Sequence, residues 1–245
     1  MLELFENERL DDLDLDNLKI IQNKNGYCFS SDSVLLANFV EAKHKDICVE
    51  IGTGCGVISV LVNYKEKPKQ IFAFEIQKNQ SEIATRNFKN CNMDNIQAIN
   101  DDVLNYKKYL NDGSVDVVFS NPPYFKYDKN VSGDLEEKVT SRSDKYLPNK
   151  DFFKVCSKIL KYGGKLFFVF DSQRIDECFI NMKEYNLSPK KIYFVHPNQQ
   201  KNSSVFLCMA IKGGKQGVKI MPPLFTNDLD GNYIQTIQKL YKNNK

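Results

Sequence analysis

The segment Asn121-Pro122-Pro123-Tyr124 combines residue types that could activate a weakly nucleophilic amine. The lone pair of an aromatic amine or an amide is delocalised, so the nitrogen is planar and nearly non-basic. The side-chain carbonyl of Asn121 and the backbone carbonyl of Pro122 could accept its two N–H bonds and turn the lone pair toward an electrophilic methyl group. Tyr124 could stack on the planar group. The segment therefore predicts methyl transfer to a conjugated nitrogen, and the alternative is a Pro-Pro turn capped by Asn121.

A glycine-rich loop, Gly52-Thr53-Gly54-Cys55-Gly56, follows an apolar run that contains Glu50. Glycines at a strand-to-helix turn let the backbone lie close to a ligand, with N–H groups of the helix start available to it. Val57 stands where the dinucleotide motif G-x-G-x-x-G has its third glycine, so a pyrophosphate is not the predicted ligand. The spacing predicts a loop for a different cofactor, and the alternative is a turn with a structural role only.

Two acids mark the ends of the next two predicted strands. Glu75 follows Gly56 by nineteen residues, where its carboxylate could accept hydrogen bonds from ribose hydroxyls. Asp102 is placed to reach an adenine amino group, with Val103 beside it as an apolar contact. Either acid alone could be a helix cap, but their order after a glycine loop indicates a cofactor that contains a nucleoside.

Strand and helix patterns alternate along the chain, which predicts an α/β fold with a seven-stranded, mostly parallel sheet and helices on both faces. Strands are predicted over 47–51, 71–74, 96–99, 115–119, 165–170, 191–195 and 204–211, and helices over 31–40, 57–62, 83–88, 151–160 and 175–182. Gly163-Gly164 is expected to end the fourth of these helices. In a doubly wound sheet the first and fourth strands are neighbours, so we expect the glycine loop and Asn121 to open into one crevice.

Composition excludes several classes of protein. The chain has 245 residues, 42% of them hydrophobic, and contains no run of about 18 apolar residues. Its first residues are acidic, unlike a basic leader, so we expect a cytoplasmic protein. Seven cysteines without a C-x-x-C pair indicate reduced core thiols. His44 and His196 have no partner at ligand spacing, so no metal site is expected.

Charge is distributed unevenly along the chain. Residues 186–245 carry nine lysines and two acids, a net charge of +7, which leaves −4 for residues 1–185. This basic segment could face a polyanion, and the alternative is a lysine-rich surface that is merely solvated. Residues 125–149 are polar and irregular, which favours a mobile loop at the substrate.

Taken in order, Glu50 with the glycine loop, Glu75, Asp102 and the Asn121 segment resemble the class I N6-adenine and amide methyltransferases. Further segments resemble one branch, the bacterial tRNA1(Val) adenine-37 N6-methyltransferases. These segments are Glu8-Arg9-Leu10-Asp11-Asp12-Leu13, Phe29-Ser30-Ser31-Asp32-Ser33-Val34-Leu35-Leu36, His196-Pro197-Asn198, Ile211-Lys212-Gly213-Gly214-Lys215 and Gly231-Asn232-Tyr233.

The resemblance implies S-adenosylmethionine as cofactor, tRNA as partner and N6-methyladenosine beside the anticodon as product. The catalytic residues would be Asn121, Pro122, Pro123 and Tyr124. The cofactor would be held by Asp32, Glu50, Gly52, Thr53, Gly54, Gly56, Glu75, Asp102, Val103 and Asn121. The RNA would be contacted by Tyr124, Arg142, Lys212, Lys215 and Lys219.

The resemblance also implies a single methyltransferase domain over residues 1–245. Residues 1–46 would form an N-terminal extension with a buried helix, residues 125–149 a substrate loop, and residues 212–245 a basic C-terminal extension. Three alternatives remain open at this point: methylation of a protein glutamine, methylation of an amino group in rRNA or DNA, and a non-catalytic RNA-binding module.

Overall fold

The computed structural model describes residues 4–16, 18–24, 29–122 and 147–232. The strands are β1 (Glu8–Asp12), β2 (Lys19–Asn23), β3 (Ile47–Ile51), β4 (Gln70–Phe74), β5 (Ile96–Ile99), β6 (Val115–Ser120), β7 (Leu160–Asp171), β8 (Leu187–His196), β9 (Val205–Lys212), β10 (Lys219–Ile220) and β11 (Leu224–Phe225). The helices are α1 (Ser31–Phe39), α2 (Val57–Glu66), α3 (Lys78–Asn90), α4 (Asn149–Ile159) and α5 (Ile175–Glu184), with 3-10 turns at Val103–Lys108 and Ser172–Arg174. Every predicted strand and helix is present, with shifted ends.

Seven of these strands form the core of one sheet, in the order β5-β4-β3-β6-β7-β9-β8. The pairs from β5 to β7 are parallel, and β9 runs antiparallel to both of its neighbours. The predicted adjacency of the first and fourth core strands is confirmed, because β3 pairs with β6. The two-residue strands β10 and β11, which were not predicted, pair with the outer edge of β8.

Helices cover both faces of the sheet, as predicted, because alternate side chains of each buried strand point to opposite faces. In β7, Phe167 and Val169 belong to the core formed with α1, α2 and α3. Leu166, Phe168 and Phe170 belong to the second core, formed with α4 and α5. Both faces of the strand are therefore apolar, which explains its nearly continuous hydrophobic sequence.

An antiparallel hairpin of β1 and β2 packs against α3 and was not predicted. Arg86 donates to both carboxylate oxygens of Glu8, at 2.6 and 3.0 Å. The fully buried Asn87 accepts from the N–H of Ile21 at 2.8 Å and donates to the carbonyls of Ile21 and Cys55, at 3.0 and 2.8 Å. One amide therefore links the hairpin, α3 and the glycine loop.

The prediction that Gly163-Gly164 ends the fourth predicted helix is wrong. That helix, α4, ends at Ile159, and both glycines lie inside β7. The register against β6 shifts after Leu160, so four residues bulge opposite one residue of β6. Gly163 has φ +81°, and a Cβ on Gly164 would lie 2.9 Å from a backbone carbonyl oxygen. The glycines are therefore needed for the bulge rather than for the helix end.

Candidate functional site

The candidate site lies at the carboxyl ends of β3, β4 and β6. Ile51 pairs with Phe74, and Glu50 pairs with Phe119. The segments that follow these strands therefore emerge side by side, about 5 Å apart from strand to strand. Ser120 Oγ donates to the carbonyl oxygen of Ile51 at 2.6 Å, which ties the end of β6 to the end of β3. The structure thus brings the glycine loop, Glu75 and Asn121 to one edge of the sheet.

The glycine loop adopts a backbone conformation that requires its glycines. Gly52, Gly54 and Gly56 have φ values of +72°, +55° and +88°. Among the described residues, nothing lies within 4 Å of a Cβ built on Gly52 or Gly54, so the space beside them is open. A Cβ on Gly56 would lie only 2.5 Å from Cε1 of Phe88 in α3. The first two glycines therefore border free space, and the third allows two helices to pack closely.

The Glu50 side chain stabilises the conformation of the glycine loop. It is fully buried, and its Oε2 accepts from the hydroxyl of Thr53 at 2.6 Å, from the N–H of Ser59 at 3.2 Å and from the Ser59 hydroxyl. Its Oε1 is buried without a hydrogen-bond partner in the described part of the chain. Burial raises the pKa of Glu50 to about 8, against the opposing effect of these donors. Glu50 and Thr53 thus shape the loop, and their direct contact with a cofactor stays a prediction.

Glu75 lies directly after β4 and is 7% exposed. Its Oε2 accepts from the N–H of Gly54 at 2.8 Å, and its Oε1 accepts from the N–H of Gln77 at 2.9 Å. Burial raises the pKa of the Glu75 carboxyl, and these N–H donors oppose the shift. The carboxylate is therefore held rigidly against the glycine loop, and it keeps acceptor capacity for a further donor.

Asp102 caps the 3-10 turn that follows β5. Its Oδ1 accepts from the N–H of Leu104 at 2.9 Å, which is the cap role that the sequence left open. Val103 packs in the second core and is largely buried, and its contact with a cofactor stays a prediction.

Two exposed apolar side chains that the sequence analysis missed lie close to these acids. Ile76 is 44% exposed and directly follows Glu75, and Leu104 is 45% exposed and lies within the 3-10 turn. Asn100 donates to the backbone carbonyls of Glu75 and Ile76, at 2.9 and 3.3 Å, and so holds the two segments together. The signal available in the sequence was a large apolar residue one or two positions after each acid.

Asn121 follows β6 directly and is half-buried. Its Nδ2 donates to the hydroxyl of Ser33 in α1 at 3.1 Å, a contact that the sequence analysis did not predict. Asp32 is half-buried in the first turn of α1, next to Ser33. Helix α1 thus brings its first turn to the same edge as the glycine loop.

Part of the predicted site lies outside the described residues. Pro122 is described and buried, whereas Pro123, Tyr124 and Arg142 are not among the residues that the structure describes. Most of the predicted substrate loop, residues 125–146, also lies outside the described residues. Its last three residues are described, and Asn149 is the first residue of α4.

The predicted RNA-contacting lysines differ in exposure. Lys212 Nζ donates to the carbonyl oxygen of Leu160 at 2.7 Å, and burial lowers the pKa of Lys212. Lys215 and Lys219 are exposed. Lys212 thus has a structural partner inside the fold, and the other two are accessible to a ligand.

Strand register places these lysines away from the crevice. Val205 pairs with Asp171 at the carboxyl end of β7, and Ile211 pairs with Lys165 six residues along. The chain therefore reaches the opposite edge of the sheet, about 20 Å from the crevice, before it comes to Lys212. Lys219 in β10 lies midway along the outer edge. The structure does not bring the lysines into contact with the glycine loop or Asn121.

The described ranges contain neither a metal-binding cluster nor a membrane-spanning helix. In them, no group of three or more His, Cys, Asp or Glu side chains is placed to hold a metal ion. None of the described helices combines the length and the apolar character that crossing a bilayer requires. The six cysteines with described positions are all free thiols.

Curated proteins with similar sequences carry one name. The chain is 26% identical over 144 residues to the tRNA1(Val) (adenine(37)-N6)-methyltransferase of Glaesserella parasuis, a match that covers 57% of each chain. It is 25% identical over 178 residues to the enzyme of that name from Christiangramia forsetii, covering 71% of this chain and 72% of the relative. The chain thus spans less than three fifths of the first relative's length.

Solved structures share the fold of this chain. A predicted O-methyltransferase from Agrobacterium tumefaciens superimposes with a TM-score of 0.69 at 20% identity, covering 86% of this chain and 95% of that one. TYW2 of M. jannaschii, crystallised with AdoMet, gives a TM-score of 0.58 at 13% identity over 86% and 88% of the two chains. The class I methyltransferase fold predicted from the sequence is confirmed.

The family follows from the residues that build the site. Residues 28–184 match the model of the methyltransferase small domain. That range contains the glycine loop, Glu75, Asp102 and Asn121, and it covers more than half of the chain. The chain belongs to the methyltransferase small domain family.

Proposed function

We propose that the protein methylates the exocyclic N6 of an adenine in tRNA, at position 37 of tRNA1(Val), beside the anticodon. The observation that carries the proposal is the position of Asn121 at the end of β6, beside the loop that follows β3. A hydrogen-bond acceptor for an amine thereby stands next to the predicted cofactor loop. The names of the relatives from Glaesserella parasuis and Christiangramia forsetii support the choice of substrate.

The carboxyl edge of the sheet fits S-adenosylmethionine. The open space beside Gly52 and Gly54 admits a ligand against the backbone, and Glu75 has lone pairs for ribose hydroxyls. Ile76 and Leu104 offer apolar surfaces for an adenine ring. When bound, S-adenosylmethionine supplies an electrophilic methyl group on a sulfonium.

Two further acids complete the proposed cofactor contacts. Asp102 uses one carboxylate oxygen as a cap, and the other could accept from the adenine amino group of the cofactor. Asp32, in the first turn of α1, would hold the methionine end. A carboxylate at each end of the site would suit the cofactor, which carries an amino group at both ends.

The residues after β6 would activate the target nitrogen. Asn121 Oδ1 and the backbone carbonyl of Pro122 would each accept one N–H of the adenine amino group and stabilise the positive charge that develops on nitrogen. Tyr124 would stack on the adenine, which leaves its own base stack to reach the site. Arg142 would contact the RNA nearby.

A tRNA substrate implies a cytoplasmic location.

The proposal is tested by methyl transfer to purified tRNA and by the Asn121→Ala variant. We expect at least ~10²-fold slower transfer, because one acceptor for the developing charge is removed. The dissociation constant for S-adenosylmethionine, measured by calorimetry, should stay within about threefold of the wild-type value. Asn111→Ala, at an exposed asparagine before β6, is the matched control and should leave the rate unchanged.

Nucleoside mapping by mass spectrometry of tRNA from cells without the protein tests the substrate. Loss of N6-methyladenosine at one position beside the anticodon is the expected result. Unchanged tRNA together with loss of a methyl group from rRNA, DNA or a protein glutamine would overturn the assigned substrate. Equal losses of transfer rate and cofactor affinity in Asn121→Ala would show that Asn121 is structural.

A further inference from the structure

The amide of Asn121 is held by a residue from a distant part of the chain. Asn121 Nδ2 donates to Ser33 Oγ at 3.1 Å, across 88 residues of sequence. Ser33 is 3% exposed, so bulk water does not compete strongly for its hydroxyl. The hydrogen bond therefore joins the candidate catalytic segment to the first turn of α1.

Both partners of this hydrogen bond belong to rigid elements. Val34 and Leu36 anchor α1 in the core, and Phe39 packs edge-on against Phe167 of β7, with ring centroids 5.4 Å apart. The hydrogen bond from Ser120 to β3 fixes the strand end before Asn121. The position of the Ser33 hydroxyl relative to the end of β6 is thus set by core packing on both sides.

An amide side chain can accept hydrogen bonds from the target amine only through its oxygen. In the structure Nδ2 is the amide atom that donates to Ser33, so Oδ1 is not used by this contact. Because a hydroxyl can also donate, Ser33 fixes where the Asn121 amide lies rather than which way its terminal group is turned. Without this hydrogen bond the amide would lose a contact that holds it in place for the target amine.

We propose that Ser33 is a positioning residue that holds the Asn121 amide in place for the target amine. It acts through Asn121 and contacts neither substrate nor cofactor. The inference rests on the proposed function, because it requires Asn121 Oδ1 to accept from the target amine. Two neighbouring residues of α1 would then have different roles: Asp32 would hold the cofactor, and Ser33 would hold Asn121, which accepts from the target amine.

The first test measures Ser33→Ala under single-turnover conditions with radiolabelled cofactor and tRNA. Loss of one hydrogen bond to the amide should lower kcat about tenfold. The KM for tRNA, the dissociation constant for the cofactor and the urea midpoint should stay at wild-type values. Ser157→Ala, which removes a half-buried serine from α4, is the control and should keep full activity.

Two further variants separate positioning of Asn121 from packing. Ser33→Thr retains the hydroxyl and should restore activity to within about threefold of wild type. In an Asn121→Ala background no amide remains for Ser33 to hold. There, Ser33→Ala should change the rate by less than about twofold.

The outcomes are decisive in each case. Full activity of Ser33→Ala overturns the inference and leaves the proposed function intact. A rate loss also overturns the inference if cofactor binding weakens, if the loss persists in the Asn121→Ala background, or if Thr does not restore activity. Ser33 would then be a packing residue. Wild-type protein that transfers no methyl group to tRNA would instead overturn the proposed function.

Discussion

The Glu50 carboxyl braces the glycine loop from a fully enclosed position, so its ionisation affects folding. Burial raises its pKa from an ordinary value of 4.5 to about 8. Between these two values the folded protein holds a proton that the unfolded chain has released. The stabilising contribution of this group is therefore complete below about pH 4.5 and is lost as the pH rises through about 8.

We predict that Glu50→Gln flattens the pH dependence of stability in this window. The amide stays neutral and can still accept from Thr53 and Ser59, so the free energy of unfolding should decline less between pH 4.5 and 8 than that of wild type. Urea unfolding across this range measures the difference. The exposed Glu82→Gln variant is the control and should follow wild type. Parallel curves for Glu50→Gln and wild type would contradict the prediction.

At the residue scale, the sequence predicts which residues gather at the site better than it predicts which side chains contact one another. The order of the glycine loop, Glu75 and Asn121 was sufficient to predict one shared edge, because parallel strands align their carboxyl ends. The role of Ser33 could not be predicted, because it depends on how α1 packs against the sheet. Asp102 was predicted to bind adenine, with a helix cap as the alternative. The structure shows the cap, and the adenine contact stays a prediction.

Gly56 controls how closely two helices approach. It precedes α2 with φ +88°, and Phe88 of α3 occupies the place where its Cβ would be. Gly54 shares the left-handed conformation, with φ +55°, but borders open space among the described residues. Substitutions at both glycines therefore share the effect of backbone strain, and only a substitution at Gly56 adds an effect on helix packing.

We predict that Gly56→Ala costs about 1–3 kcal/mol more stability than Gly54→Ala, because only the first adds an overpacking penalty to the strain of the positive φ. The free energies of unfolding in urea provide the comparison. Gly54→Ala should instead weaken cofactor binding, because its methyl group would enter the open space beside the loop. Equal unfolding free energies for the two variants would contradict this account of α2 and α3.

At the element scale, periodic patterns predicted the core strands and helices. Irregular segments, the hairpin and the bulge, were not predicted. Every core strand was predicted because both sides of the sheet are covered and the runs are apolar. The β1–β2 hairpin has a polar first strand, ERLDD, without a clear period of two. Gly163 and Gly164 were wrongly assigned to a helix end. A double glycine suits a helix end and a wide bulge equally well, so the sequence does not distinguish the two.

Acids and lysines occupy different edges of the molecule. Glu75 and Asp102 lie at the carboxyl edge, where a positively charged cofactor would bind. The lysines predicted to contact RNA begin at the amino edge with Lys212 and continue to Lys219 on the outer edge of β8. A bound RNA that reaches both the crevice and the lysines would have to lie along that outer edge.

We predict that Lys215→Glu combined with Lys219→Glu weakens tRNA binding and reduces its salt dependence. Each lost phosphate contact should lower the slope of log K against log salt by about 1. Lys212 is left intact because its hydrogen bond to Leu160 gives it a structural role. Binding is measured by filter retention over a range of salt concentrations.

The matched control reverses two exposed lysines elsewhere, with Lys89→Glu in α3 and Lys154→Glu in α4. The control has the same net charge but should keep the wild-type salt slope. Equal effects of the two pairs would mean that net charge alone attracts the RNA, and the outer edge would then not be its contact surface.

Charge along a sequence predicts little about charge in space. The excess of lysine after residue 186 was correct, but a strand reversal separates it from the crevice. The direction of β9 decides this, and no local pattern reports whether a strand runs parallel or antiparallel in a mixed sheet.

The buried amide of Asn87 also has a consequence for dynamics. The amide proton of Ile21 donates to it, and the same side chain donates to the carbonyl of Cys55 in the glycine loop. Exposure of that proton to solvent requires its hydrogen bond to Asn87 to break, and the hydrogen bond to Cys55 couples Asn87 to the loop. Hydrogen exchange at Ile21 should therefore slow when a ligand immobilises the loop, and this one amide in the N-terminal hairpin reports on motion of the cofactor site.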